Sequence, residues 1–327
     1  MKKILILRFS SIGDIVLTTP VVRAVKEQTG AEVHYLTKQP FTGIVAPNPY
    51  IDRVITFQKD IDEVVEELKN EQYDYIIDLH HNLRTLRLKR KLKRPAKSFP
   101  KLNIQKFLYV RLGWKMMPDL HIVDRYFETV RHLGVNNDQK GLDYFIPESE
   151  EVDVTSFLPE IFHTGYIAIA MGAQFATKRL PLEKLEELVH KIQLPVVLLG
   201  GKEDELTGNQ LAAIASSNVF NAAGKCTLGQ SASLVKQSVC LVTHDTGLMH
   251  IGSAFKKRIF SIWGNTTPEL GMYPYLPGEG SELFEQKELS CRPCSKIGYQ
   301  KCPKGHFKCM NDQNIDEIAT KVRKAFD

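Results

Sequence analysis

Short apolar runs alternate along the chain with stretches whose apolar residues recur every three or four positions. Residues 4–9 form the first run, with the length and continuity of a strand buried on both faces. It breaks at Ser10, Ser11 and Gly13, and Ile15, Val16, Thr19, Val22 and Val25 then follow at helical spacing. Strands are predicted over 32–36, 52–57 and 74–79, the last ending in His80-His81-Asn82. Residues 60–71 place Ile61, Val64, Val65 and Leu68 on one helical face, and a helix over 122–133 stops at Gly134. The chain is acidic and irregular from 147 to 165, which predicts a crossing between domains. A second series then begins. Its strands are predicted over 166–171, 195–199, 239–243 and 258–263, and its helices over 181–192, from Gly201 to about Ser216, 228–237 and 248–255. A last amphipathic helix carries Ile315, Ile318, Ala319 and Val322 on one face.

Strands alternating with helices predict the α/β class, with parallel, doubly wound sheets. Two such series predict two Rossmann-like domains, 1–155 and 156–327, facing a central cleft, with room for the last helix to pack back on the first domain. In open sheets of this kind ligands bind at the carboxyl ends of the strands. The first turn, Ser10 to Asp14, is such a place. Asp14 falls in the first helical turn, where the helix dipole alone would favour a carboxylate, so its plain reading is a helix stabiliser.

Composition changes this picture little. At 327 residues, 43% hydrophobic and 25% charged, the chain has enough apolar surface for two cores. Arg8 and Asp14 interrupt any leader-like apolar stretch, and no run approaches the roughly 20 apolar residues that cross a bilayer. A cytoplasmic protein is expected. Charge changes the picture more. Between Asp78 and Asp119 there is no acid but twelve bases: Arg84, Arg87, Lys89, Arg90, Lys91, Lys93, Arg94, Lys97, Lys101, Lys106, Arg111 and Lys115. The remainder holds 31 bases against 38 acids, so one segment is basic and the rest is not. Such a segment suits an anionic partner, and its plain reading is a solvated face.

Four strand-end loops in the second half carry candidate chemistry. In the first, Gly172-Ala173-Gln174-Phe175-Ala176-Thr177-Lys178-Arg179, small residues admit backbone N–H groups to a phosphate that Lys178 would neutralise. Alone, Lys178 reads as a surface lysine. In Gly200-Gly201-Lys202-Glu203-Asp204-Glu205 the acids either cap a helix or bind a ribose hydroxyl. His244-Asp245-Thr246-Gly247-Leu248-Met249-His250 sets Asp245 and Thr246 at a helix start with His250 one turn in, so that their groups converge on an anion unless His250 faces the core. Trp263-Gly264-Asn265-Thr266-Thr267-Pro268 is a further turn with hydroxyls.

With these residues in view, RFSSIGDIVLTTP, GAQFATKRLP, HDTGLMHIGSAF with SIWGNTTP, and the tail CRPC…CPKGHFKCM resemble glycosyltransferase family 9, the ADP-heptose:lipopolysaccharide heptosyltransferases. The motifs run in family order over nearly the whole chain. The resemblance implies GT-B architecture and an inverting, metal-independent transferase without cofactor. It implies ADP-heptose as donor and the lipopolysaccharide inner core as acceptor. By position it puts the catalytic base on Asp14 and the phosphate-binding lysine on Lys178 beside Thr177. Its donor-binding motif falls on Asp245, Thr246, Gly247 and His250, and its ribose-binding acid on Asp204, with Glu203 and Glu205 as rivals. The acceptor is assigned to Ser11, Gly13, Arg84 and Arg87. Leu180 departs from the tryptophan often found in the family. The basic segment then reads as an acceptor-phosphate or anionic membrane site, peripheral on the inner face of the inner membrane. Asp60-Ile61-Asp62, the one Asp-x-Asp, opens a helix in the first half and reads as capping.

Cys291-x2-Cys294-x7-Cys302-x6-Cys309, with His306 nearby, has a spacing able to hold structural zinc. Packed or redox-active thiols are the preferred reading, and Cys226 and Cys240 read as core residues. Two other functions are carried forward. One is a nucleotide-sugar epimerase of the same fold, which turns over donor without acceptor. The other is a nucleic-acid-binding protein using the basic segment, which confinement of the charge to one stretch disfavours.

Overall fold

The computed structural model describes residues 2–215 and 217–326. Contacts divide the chain into two compact units. The first runs up to Leu102 and adds Leu120–Phe145, and the second takes Asn103–Asp119 and the chain from Ile146 onward.

The first unit holds a parallel sheet of β1 (Lys3–Leu7), β2 (Glu32–Lys38), β3 (Arg53–Phe57), β4 (Tyr75–Asp78) and β5 (Ala96–Ser98) in the order β3-β2-β1-β4-β5. The apolar runs form the strands because both faces are covered. On one face Leu5, Leu7, Leu36, Ile55 and Ile76 meet Ile61, Val65 and Leu68 of the following helical segment and Leu88 and Leu92 of the helix Leu83–Leu92. The one helix expected after β1 is two. Ile12–Val16 ends where the Thr18 and Thr19 hydroxyls donate to the Ile15 and Val16 carbonyls, and Thr19–Thr29 restarts with Pro20 in its first turn. The expected 122–133 helix is regular only over Ile122–Phe127. The basic segment forms Leu83–Leu92, β5 and the helix Asn103–Leu112.

The second unit is a six-stranded parallel sheet of β6 (Ile167–Ala170), β7 (Val196–Leu199), β8 (Val219–Asn221), β9 (Cys240–His244), β10 (Arg258–Trp263) and β11 (Glu282–Glu285), ordered β11-β10-β9-β6-β7-β8. Alternate residues of β6 serve opposite faces. Ile167 and Ile169 pack with the helices Leu182–Ile192 and Ile315–Phe326, whereas Ala168 and Ala170 join Leu234, Val235 and Met249 on the other side. Ile315, Ile318, Ala319 and Val322 thus dock the last helix within this unit. The 147–165 stretch also belongs here: the Val152 N–H donates to Ser233 Oγ, and Leu158 and Phe162 enter the core. The helix from Glu205 is regular to Ile214, and its expected end at Ser216 lies outside the described residues.

Strand order decides where ligands can bind. The direction in which successive strands are added across the sheet reverses between β1 and β4 in one sheet and between β6 and β9 in the other, although all the strands run parallel. In open sheets of this kind loops diverge at such a reversal, and ligands bind outside the carboxyl ends of the strands.

Candidate active site

Asp14 stands at the first reversal, in the short helix after β1 that also buries Gly13. Its Oδ2 accepts the Ser11 hydroxyl at 2.8 Å and the Ser11 N–H at 3.3 Å, so the helix-stabilising reading is correct as far as it goes. The carboxylate does more. Its Oδ1 lies 2.7 Å from Nη2 of Arg8, whose side chain is almost wholly buried. Arg8 also donates to the carbonyls of Ser10 (2.8 Å) and Leu79 (2.6 Å) and to the Tyr126 hydroxyl (3.1 Å). Burial opposes its charge, but Asp14 and Tyr126 outweigh burial, and the guanidinium is held above its ordinary range. The result is a partly exposed carboxylate fixed by a charged fork.

His80, just beyond β4, faces the same reversal with its ring 4.9 Å from that of Phe9. Burial, then Arg8 and Lys101, push its imidazole down to about 3, so it is neutral near pH 7, and its Nδ1 is buried without a hydrogen-bond partner. Asp78 shapes this turn, accepting the N–H groups of His80 and His81 on one oxygen and holding Lys89 at 2.7 Å on the other.

Among the predicted acceptor residues, Arg84 is exposed on the helix Leu83–Leu92. Arg87, one turn further on, is paired with Asp60 and Asp62, and Lys91 with Asp62. Asp60 also caps, accepting the Asp62 N–H. The acid-free segment is therefore partly neutralised by acids from elsewhere in the chain.

At the second reversal the loop after β6 meets the turn after β9. Lys178 Nζ lies 2.6 Å from Asp245 Oδ2, which also accepts the Thr266 hydroxyl at 3.0 Å. Thr246 caps the helix Gly247–Ala254 by accepting the Leu248 N–H, so the Gly247 end presents N–H groups beside Lys178. His250 is buried in that helix. Thr177 is buried too, its hydroxyl bonding Asn265 Oδ1 and the Tyr299 carbonyl at 3.0 Å each. Gly264 permits this approach, because a Cβ there would lie 2.6 Å from the Thr177 carbonyl.

Asp204 is buried beside the same loop. Its Oδ2 accepts the Gly201 N–H at 2.9 Å, as a cap does, and its Oδ1 lies 3.5 Å from Arg179. Burial raises its pKa. A Cβ on Gly172 would fall 2.1 Å from this carboxylate, so glycine is required for the loop to pass over it.

Sequence reasoning missed four residues that build these sites. In the sequence Arg8 reads only as a break in an apolar run, although a charge among buried apolar residues needs a partner, and that need is the signal. His244 accepts the Leu180 N–H at 3.0 Å and so ties the Lys178 loop to β9. Asn265 receives the Thr177 hydroxyl. Arg292, in the cysteine-rich loop, donates to the carbonyls of Gly264, Gln286 and Thr266 and pairs with Glu285, fixing the turn that carries Thr266. It is the arginine of the CRPC motif, but nothing in that motif points to this role.

The profile of glycosyltransferase family 9 (heptosyltransferase) matches residues 61–298. The chain belongs to this family. Asp14 lies before the matched span and Lys178, Asp204 and Asp245 to His250 lie within it. Lipooligosaccharide heptosyltransferase 2 of Haemophilus ducreyi is similar, 24% identical over 351 residues that cover 89% of this chain and 96% of that protein. The corresponding protein of Haemophilus influenzae is 31% identical over 111 residues, a match spanning 32% of its length. Among solved structures, the Escherichia coli ADP-heptose lipopolysaccharide heptosyltransferase II superposes with a TM-score of 0.73 at 17% identity, covering 99% of this chain and 98% of that one. The Escherichia coli heptosyltransferase WaaC with ADP gives 0.68 at 19% identity, covering 99% of each. Family 9 membership makes this a glycosyltransferase, with the pair of parallel-sheet units of GT-B enzymes.

Proposed function

We propose that this chain transfers heptose from ADP-heptose to the inner core of lipopolysaccharide, with inversion and without a metal, acting as a peripheral protein on the cytoplasmic face of the inner membrane. The observation that carries the reading is the Asp14 carboxylate fixed by Arg8 and Ser11 at the switch point of the first sheet. Its counterpart at the switch point of the second sheet is a lysine–hydroxyl–helix-end cluster, the chemistry that suits a diphosphate.

In this mechanism the acceptor hydroxyl gives its proton to Asp14 as its oxygen attacks the anomeric carbon. The bond from that carbon to the diphosphate breaks, and ADP leaves with the electron pair. One displacement inverts the centre. Arg8 stays charged and holds the carboxylate in line. On the leaving side Lys178 exchanges Asp245 for phosphate oxygens, helped by the N–H groups at Gly247, the Thr246 hydroxyl and His250, while Thr177 keeps the loop in place. Asp204 is the candidate for the ribose hydroxyls. A diphosphate so met by a lysine and N–H groups needs no bridging metal, and Asp60 and Asp62 are committed to capping and to Arg87 and Lys91. Arg84 and Arg87, three apart on one helix face, are the candidates for anionic groups of the acceptor.

The test is Asp14→Asn. Calorimetry with ADP-heptose should give wild-type affinity, and transfer should fall by roughly 10²–10⁴-fold, the usual worth of a general base. Near wild-type transfer would remove Asp14 from the role. Donor consumption without acceptor would favour the epimerase instead.

A further inference from the structure

The least explained surface is the stretch Asn103–Asp119 of the second unit. Ile104 (73%), Phe107 (60%), Leu112 (54%), Trp114 (57%) and Met116 (55%) all expose their side chains within thirteen residues. Single exposed apolar residues are ordinary, but a run of five this large is not, and such patches mark interaction sites. Tyr109 is the anchor: it is buried, and its hydroxyl meets Thr267 Oγ1 at 3.2 Å, so the helix Asn103–Leu112 is held while its apolar side chains stay in water.

The charges within this run are of one sign. Lys106, Arg111 and Lys115 lie between the apolar positions, Arg111 and Lys115 are exposed, and no acid occurs before Asp119. On the helix Leu83–Leu92 acids from elsewhere meet Arg87, Lys89 and Lys91, whereas Arg111 and Lys115 stand exposed beside the apolar side chains. The basic surface most suited to an anionic partner is therefore the one that also exposes aromatic and aliphatic side chains.

We propose that Ile104 to Met116 is an interfacial wedge by which the protein lies on an anionic phospholipid surface. Phe107, Leu112, Trp114 and Met116 enter the headgroup region, and Arg111 and Lys115 meet lipid phosphates. Charge complementarity argues for lipid over another protein, and tryptophan with phenylalanine beside cations is the composition of segments that lie in an interface. Among the described residues no helix is long and apolar enough to cross a membrane, so the contact is with the surface. The inference rests on the reading that the acceptor is carried by a membrane.

The test uses vesicles that contain neither donor nor acceptor, so that its failure is distinct from failure of the transferase reading. The protein has two tryptophans, and Trp263 is 1% exposed. A blue shift of emission on adding vesicles therefore reports Trp114. Vesicles of phosphatidylglycerol and phosphatidylcholine should sediment the protein and shift its emission, and pure phosphatidylcholine should do so far less. Raising salt should weaken the binding without abolishing it. Phe107→Ser and Leu112→Ser should each lower the partition coefficient by about tenfold, with transfer to a water-soluble, deacylated acceptor unchanged. Sedimentation without a blue shift, or with the serine variants binding as well as wild type, would overturn the wedge. So would gel filtration showing that Phe107→Ser dissociates an oligomer while lipid binding is unaffected, since a second copy would then cover this surface.

Discussion

His244 offers a pH experiment whose size can be worked out beforehand. The imidazole is 2% exposed, and Nε2 accepts the Leu180 N–H, which leaves the proton on Nδ1 in the neutral ring. Burial pushes its pKa down to about 4, against an ordinary 6.5. Between those values the unfolded chain binds a proton that the folded chain refuses. The stability this group contributes is present in full above 6.5 and is lost as pH falls towards 4. The loss from this residue alone is about 2 kcal/mol at pH 5 and about 3 kcal/mol at pH 4. His244→Gln keeps an acceptor within reach of the Leu180 N–H and removes the titration. Urea midpoints for both proteins from pH 7 to 4 isolate the effect by subtraction, because other groups titrate in both. The variant should start less stable at pH 7 and converge on wild type, or overtake it, as the solution is acidified. Parallel curves would mean that the ring already titrates normally, and the buried link between β9 and the Lys178 loop would be wrong.

Three other substitutions probe the clusters at the two strand-order reversals. Arg8→Lys keeps the charge but cannot span Asp14, Tyr126 and two carbonyls together; kcat should fall about 100-fold at unchanged ADP affinity, the scale of a misplaced catalytic group, and wild-type kcat would show that Arg8 serves only the fold. Lys178→Ala should weaken ADP binding by roughly 10–100-fold in a calorimetric titration, since a hydrogen bond to a charged group is worth about 1.5–3 kcal/mol. Arg292→Met leaves Glu285 buried without its partner and should lower unfolding free energy by about 3–5 kcal/mol; adding Glu285→Gln should restore part of the loss in denaturant titrations, and strict additivity would refute the pairing.

Legibility in the sequence followed burial. Central strands such as β1, β6 and β9 are buried on both faces and read as apolar runs. The three strands that escaped notice, Ala96–Ser98, Val219–Asn221 and Glu282–Glu285, lie at sheet edges or run only three or four residues, too short for a pattern to emerge. The break between the first two helices was written in the chain, because Pro20 is tolerated only in a helix's first turn, but the apolar period ran through it and hid it. The partners of Arg87, Lys89 and Lys91 were invisible for another reason. Asp60, Asp62 and Asp78 come from other elements, and local charge counting cannot see a partner that the fold delivers.

What periodicity could not provide is strand order, and strand order brings the chemistry together. From sequence, the loop with Asp14 and the turn with His80 are two strand ends among several, as are the Lys178 loop and the Asp245 turn. In the first sheet β1 pairs with β4, and the next strands add outward on both sides. In the second, β6 pairs with β9 in the same way. Consecutive loops around each reversal leave in opposite directions, so two segments far apart in sequence share one crevice at the strand ends. The Lys178–Asp245 pair, separated by 67 residues, and the Arg8 contact with the Leu79 carbonyl, separated by 71, are direct products of that pairing. At these two positions a charged residue has a second strand end beside it, and there the chain places the Asp14 carboxylate in one unit and the Lys178–Asp245 pair at a helix start in the other.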